Sequence, residues 1–459
     1  MSQKINVFLY FSVVTVNLAT MSMGGSYAWS SPAIPRLNGQ IDPDHNPLPH
    51  NLTPTEESWL ASLLPLGATI STIISGYLSD KIGRKYTILS SSLPTIIGFS
   101  FLTFGKDITH FLCGRFLCGL GCGPLFTIIP IYVGEVAESG NRGVLGCTMN
   151  FFMTLGNLVF LLIPPYINLR VLGAINLVIP IIFALIFGIF VPESPYYYAA
   201  KNQMCKAKKS LLKLRCNNSE IVKEELPIIA RSVEESFAKK ATFKDIYRDK
   251  VIMRAFGTAL GLVFFQQWSG CNAVFFYMQT IFEEAEVSLS SDFCITIVAI
   301  VQFITSAIVL SVADRFGRRV LLLFSTSGHI LNLIVIGTYF CLKDYTMVDV
   351  VRVNWILIVA INLFIASYSI GMGPITFTMI GELFPPHFKG FAATCSIFLC
   401  LFSTFSVTNL FPFLKNFLGT GMTCYLYGII CVFCYIFVYF KVPETRGKSL
   451  PEIQKMLLP

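Results

Sequence analysis

The stretch Gln266-Gln267-Trp268-Ser269-Gly270-Cys271-Asn272 places three side-chain amides, Gln266, Gln267 and Asn272, inside an otherwise apolar run. Each amide offers donors and an acceptor without net charge, which suits a neutral solute whose hydroxyls both donate and accept. At about 0.5–1.5 kcal/mol net per hydrogen bond, a handful reaches millimolar affinity, about −4 kcal/mol. That is enough to hold such a solute reversibly. A single intramembrane amide ordinarily bonds a neighbouring helix; three beside Gly270 point to binding.

A second constellation is charged. Asp80-Lys81-Ile82-Gly83-Arg84-Lys85 is written again as Asp314-Arg315-Phe316-Gly317-Arg318-Arg319, each time between two apolar runs. Glu135 and Glu382 occupy equivalent places later in each half. Such residues form ion pairs; they make no nucleophile–base pair, metal-spaced cluster or phosphate loop. His45, His50, His110, His329 and His387 are scattered without ligand spacing. No enzyme activity, metal or other cofactor is expected. Cys431 and Cys434 form a CxxC in an apolar helix with no metal partners, so packing is their expected use.

The elements that carry these residues are apolar helices. The chain is 54% hydrophobic and 13% charged, with a mean hydropathy of +0.65. Runs such as 175–191 and 425–440 have no polar face, which places a helix in lipid or deep inside protein. A bilayer core needs about 20 such residues per helix. Twelve spans are predicted: 5–29, 58–79, 87–105, 110–134, 145–163, 171–191, 253–281, 292–313, 320–342, 354–380, 390–413 and 421–441. The first exceeds the roughly 7–15 residues of a signal-peptide core and has an equivalent in the second half, so it reads as a retained span.

With both termini cytosolic, most of the 34 Lys and Arg fall on the cytosolic side. Arg36, Lys106, Arg170, Lys343, Arg352 and Lys415 fall outside, and Arg115 lies within a span. The +8 net charge is therefore an orientation signal, felt by inner-leaflet anionic lipid and not by nucleic acid. The sequon Asn51-Leu52-Thr53 lies in the largest external loop, where glycosylation is possible, although Pro54 follows it. A second sequon, at Asn217, falls inside.

The doubled hexapeptide is one of four doubled phrases. Gly121-Cys122-Gly123-Pro124 returns as Gly371-Met372-Gly373-Pro374, and Glu135 with Arg142 returns as Glu382 with Lys389. Val191-Pro192-Glu193-Ser194 returns as Val442-Pro443-Glu444-Thr445, all in the same order half a chain later. The expected fold is thus all-α and polytopic, with two pseudo-symmetric six-helix halves, 1–191 and 253–441. A linker, 192–252, carries cytosolic helices, and 442–459 form a short tail. Paired halves with Gly/Pro-interrupted helices in matching places point to a secondary transporter, with breaks expected at Gly123-Pro124 and Gly373-Pro374. Charges where the inner helix ends meet are expected to latch the halves together, as several weak pairs of about 0–1 kcal/mol each.

The D-[KR]-x-G-R-[KR] pattern resembles the major facilitator superfamily. "PIYVGEVAESGNRG", "VPESP", "QQWSGCNAVFFY" and "VPETRGKSL" resemble its sugar porter branch, which includes the facilitative glucose transporters. The first two helices resemble insect trehalose and hexose carriers. The resemblance implies the twelve-helix fold and transport of a sugar, glucose or trehalose, by alternating access at the plasma membrane, with no obligate protein partner. It implies that Gln266, Gln267, Asn272 and Gln302 bind sugar hydroxyls, that Asn150 stands where many relatives have Gln, and that Phe276 and Tyr277 form the outer gate. It assigns Asp80, Arg84, Glu135, Arg142, Asp314, Arg318, Arg319, Glu382 and Lys389 to the inner latch.

The chain departs from the pattern in places. Thr376-Phe377 replaces a usual Pro-Trp, leaving Phe377 at the substrate-facing position; Cys400-Leu401 replaces Asn-Trp, Ser369 a frequent Glu, and Tyr196 an Arg. A non-sugar solute is the resulting alternative. Proton-coupled relatives carry an Asp in the first helix, where this chain has Gly24-Gly25-Ser26 and no acid; uniport is expected over proton symport. A non-transporting nutrient sensor is the remaining alternative, against which the short tail weighs.

Overall fold

The computed structural model describes residues 6–39, 46–138, 141–238, 249–287, 289–345, 353–384, 386–446, 448 and 450–456. The elements among them are helices, with no strand. Ten helices are long and apolar enough to cross a membrane. The fifth span (Arg142–Leu162) and a seventh built of two pieces, Lys250–Gln267 and Cys271–Glu284, complete the twelve.

Local chemistry sets where spans begin and end. The second, Pro54–Ile82, starts with a capping box: the Thr53 hydroxyl accepts from the Glu56 N–H, and the Glu56 carboxylate accepts from the Thr53 N–H at 2.8 Å. It stops at Gly83, whose φ of +105° an L side chain rarely adopts. A Cβ there would also collide with the Glu193 carboxylate. Gly317 repeats the arrangement in the other half, at φ +85° with its missing Cβ 2.8 Å from Glu444. The glycine of the doubled hexapeptide is therefore the point where a carboxylate docks onto the chain.

The first span runs Val7–Ala28 and then continues as Ser30–Leu37 beyond a break at Trp29. It is longer than the 5–29 expected, because Trp29, Ala33, Ile34 and Leu37 are all buried. Its inner part packs with the fourth span (Ile108–Val136) and the sixth (Leu169–Phe190) around Leu9, Val13, Val16, Ile128, Ile129, Tyr132 and Phe187. The sixth turns Val178, Leu185 and Ile189 outward at 51–68% exposure, as a helix in hydrocarbon does.

The break expected at Gly123-Pro124 is not there. The fourth span continues helically through both residues. Gly123 instead lets the fourth span press against the second, since a Cβ would strike the Ala68 carbonyl and Ser71. In the tenth span the helix breaks at Gly371 (φ −127°, ψ −79°), just before the expected Gly373-Pro374, dividing Trp355–Ile370 from Met372–Leu383. Here the neighbouring span matters: the Ser325 hydroxyl of the ninth span accepts the Met372 N–H (3.1 Å) and donates to the Ser367 carbonyl (2.6 Å). A side chain thus satisfies the backbone donor that the break frees.

Three shorter helices follow the sixth span: Pro195–Ala200, Met204–Leu214 and Ser219–Ala238. They lie at the end of the molecule that holds the N-terminus, because Asn6 donates to the Leu214 carbonyl at 2.6 Å. This is the termini end below, and the opposite is the far end.

Candidate substrate-binding site

The seventh span breaks at Gly270, which is left-handed at φ +84°. The break brings its amides to one place. Gln266 Nε2 donates to the carbonyls of Met372 (2.8 Å) and Gly373 (3.1 Å), bridging to the broken tenth span. It also lies 3.3 Å from the Tyr368 hydroxyl. Gln267 Nε2 donates to Cys400 Sγ at 2.9 Å, and Gln267 Oε1 accepts from Asn272 and from the Thr404 hydroxyl (3.0 Å). Both glutamines are buried. The three amides, read from adjacent positions, form one connected network.

Separately, Gln302 Oε1 accepts from Asn157 Nδ2 of the fifth span at 3.4 Å, a bond between the two halves. Asn150 and Thr154 share the helical face of Asn157 by their spacing; Asn150 is exposed. Phe377 is 42% exposed and Thr376 is buried, its hydroxyl donating to the Met372 carbonyl. Phe276 is buried with its ring 5.6 Å from Tyr27 of the first half. Tyr277 turns the other way, its hydroxyl on the Thr408 carbonyl at 3.1 Å and its ring 5.0 Å from Phe411. Of the expected aromatic pair, Phe276 is the member that meets the first half.

Tyr368 and Thr404 belong to the Gln266–Gln267–Asn272 network and Asn157 to the Gln302 contact, and none of the three was singled out in the sequence. Asn157 could have been found by stepping seven residues along the helix from Asn150. Tyr368 and Thr404 carry no local signal.

The charged motifs assemble at the termini end. Arg84 pairs with Glu135 (3.1 Å) and Asp80 (3.5 Å). Glu193 accepts from the backbone N–H groups of Arg84 and Lys85, both at 3.0 Å. In the second half Arg318 pairs with Glu382 at 3.0 Å, and Glu444 accepts from the N–H groups of Arg318 (2.9 Å) and Arg319 (3.1 Å). The expectation was a latch between halves. These pairs instead close within one half each, because the hexapeptide turn lies directly against the end of its own half's fourth helix. The side chains of Arg142, Asp314 and Lys389 lie outside the described residues.

The halves touch towards the far end. Ser58 Oγ donates to the Asn409 carbonyl (2.6 Å), Asn409 Nδ2 to Ser62 Oγ (3.0 Å), and the Gln279 N–H to Ser31 Oγ (3.2 Å). Arg115 is fully buried in the first half. Its Nε donates to the Leu60 carbonyl (3.0 Å) and its Nη1 to the Ser26 carbonyl (2.5 Å), with Trp29 beneath it at 5.5 Å.

The profile of the family described as "Sugar (and other) transporter" matches residues 33–457. Facilitated trehalose transporter Tret1 of Bombyx mori is 33% identical over 442 residues, 96% of this chain and 85% of that protein. Its counterpart in Apis mellifera ligustica is 33% identical over 445 residues, 97% of this chain and 87% of that protein. In fold, the chain is similar to the xylose transporter XylE from E. coli in a partially occluded inward open conformation. That superposition has a TM-score of 0.80 at 19% identity, covering 97% of this chain and 100% of that one.

Proposed function

The chain belongs to the sugar transporter family, a family of membrane carriers and not of enzymes, and on that premise we propose that it moves trehalose or a hexose such as glucose by uniport. The observation that carries the reading is the amide network of Gln266, Gln267 and Asn272 at the breaks of two helices, which together with the separate Gln302–Asn157 pair across the halves offers uncharged donors and acceptors. A polyhydroxylated neutral solute fits that chemistry. Asn150 and Phe377 complete the proposed lining, and Phe276 and Tyr277 the gate.

Uniport is supported by Arg115. The first span brings no acid to it, and its Nε and Nη1 are taken by the backbone carbonyls of Leu60 and Ser26, with Nη2 buried without a hydrogen-bond partner. A proton-coupled cycle needs a titratable partner at such a depth. The halves, 1–191 and 253–441, would rock about the site while residues 192–252 bridge them. The charge clusters Asp80–Arg84–Glu135 with Arg142, and Asp314–Arg318–Arg319–Glu382 with Lys389, would brace each half's termini end as it moves. The termini end is proposed to be cytosolic and the membrane the plasma membrane. Lys201, Lys206, Lys208, Lys209 and Lys213 at that end support the orientation, and exposed Asn51 at the other end is its accessible sequon.

Counterflow in proteoliposomes tests this. Vesicles preloaded with unlabelled trehalose or glucose should accumulate labelled sugar without a pH gradient, and Gln266→Ala vesicles should not. Accumulation only when a proton gradient is imposed would overturn uniport. Failure with both sugars in folded protein would overturn the substrate class.

A further inference from the structure

Arg36 stands in the far-end extension of the first span, and it is 8% exposed. Its guanidinium is held by its own half: Nη1 donates to the Pro32 carbonyl (3.0 Å) and Nη2 to the Pro164 carbonyl (2.8 Å). Held so, it reaches Asp292 of the second half, with Nη2 at 3.9 Å from Oδ2. Asp292 sits in the first turn of the eighth span, where the helix dipole favours its charge. Its other oxygen accepts from Gln279 Nε2 at 3.0 Å. Gln279 is fully buried, and its backbone N–H donates to Ser31 of the first half. Backbone and side chain of one residue therefore tie both halves into the same few ångströms.

We infer that Arg36, Asp292 and Gln279 form a polar latch that holds the path to the site closed at the far end, and that this latch must open in each transport cycle. The inference concerns alternating access and is independent of which solute is carried. Arg36 is buried and Asp292 only partly exposed. At 3.9 Å, however, the pair is longer than a charge-assisted hydrogen bond, and Arg36 keeps its Pro32 and Pro164 carbonyl partners when the pair parts, so the contact can be made and broken repeatedly. Glu283 adds a reserve. Its carboxyl group is buried beside Gln279, with Asp292, Arg36 and Lys415 as its charged neighbours. Lys415 is itself engaged by Glu284 at 2.7 Å. A second carboxyl group near Arg36 means that neutralising Asp292 alone leaves part of the latch, whereas reversing Arg36 sets its new charge directly against Asp292.

The test reads the far-end distance directly. In full-length protein with the exposed Cys113, Cys205 and Cys216 replaced by serine, spin labels are attached through Thr55→Cys in the first half and Phe293→Cys in the second. Pulsed electron–electron resonance in nanodiscs, without sugar, should give one dominant short distance. Arg36→Glu should shift the population at least threefold towards a longer distance. The swap Arg36→Glu with Asp292→Arg should return most of it, which also shows that the single variant's effect is not misfolding. An unchanged distribution in Arg36→Glu, or a swap that keeps the long distance, would overturn the latch. Because the readout needs no substrate, failure of the sugar reading in counterflow would leave this result intact.

Discussion

The two halves agree at the termini end and part company in the middle. Each half folds its hexapeptide around a glycine at positive φ and docks a carboxylate there, Glu193 on Gly83 and Glu444 on Gly317. Each pairs the following arginine with a glutamate of the same half. In the middle, the first half carries its fourth span unbroken through Gly123-Pro124 and fixes Arg115 on backbone carbonyls. The second half breaks its seventh span at Gly270 and its tenth at Gly371, and fills the breaks with amides. One repeat is thus used twice as a brace, whereas the interior is divided between a half that fixes a buried arginine and a half that carries the proposed binding amides. The braces require the same geometry in both halves, whereas Gln266 needs carbonyls that the broken tenth span brings within reach at Met372 and Gly373.

The largest predicted effect tests the half that carries the amides. Gln266→Ala removes the hydrogen bonds to the Met372 and Gly373 carbonyls that tie the seventh span to the tenth, at about 0.5–1.5 kcal/mol each. Counterflow should fall about 10- to 100-fold while the protein remains monodisperse. Retention of full counterflow would erase the contrast between the halves.

Arg115→Leu in the first half should come next, but in stability. It frees the Leu60 and Ser26 carbonyls and is expected to lower the thermal midpoint in detergent. A charge buried without an acid partner is costly, so part of the loss should be offset by removing it. A midpoint that rises would mean the carbonyl bonds do not repay the burial of Arg115.

The braces should show smaller and opposite responses to pH. Burial pushes the Glu193 carboxyl above its ordinary range, against the backbone N–H groups of Lys85 and Ser194 and the charge of Arg84. Burial also acts on Glu444, but the N–H groups of Arg446, Arg318, Arg319 and Thr445 outweigh it and hold that carboxyl below the ordinary range. The signs differ accordingly. Glu444 contributes stability that is present above the unfolded pKa and is lost as pH falls through the lowered folded value. Glu193 holds a proton that the unfolded chain has released, so stability declines as pH rises from the ordinary carboxylate range through the raised value. Glu444→Gln should therefore lower the neutral-pH midpoint by about 1–2 °C, a deficit that disappears on acidification. Glu193→Gln should cost less at neutral pH. Equal costs would show the two braces to be energetically alike.

The smallest effect sharpens the division of the interior. Asn157→Ala removes the bond to Gln302 across the halves and one wall of the proposed site, and should raise the sugar concentration for half-maximal transport about 3- to 10-fold. A change confined to maximal rate would assign Asn157 to movement of the halves and not to binding.

Much of this architecture is legible in the residues themselves. Twelve apolar runs, four doubled phrases in register and the clustering of positive charge need no neighbours to be read, because hydropathy and repetition are properties of the chain. The amides Gln266, Gln267 and Asn272 were legible for the same reason: they are close in sequence and out of place in apolar surroundings. What the sequence left open depends on partners far along the chain. Whether Gly123-Pro124 breaks its helix is decided by the second span pressing on it. That the break in the tenth span falls at Gly371 is decided by Ser325 of the ninth, which takes up the freed N–H. That Arg84 and Arg318 pair within their halves, and that Arg36 meets Asp292 across them, is fixed only when the helices pack. The sequence alone determined which groups must leave water and which charges must stay near it; the tertiary structure decided their partners, since hydrogen bonds and ion pairs require approach within a few ångströms, which no local pattern encodes.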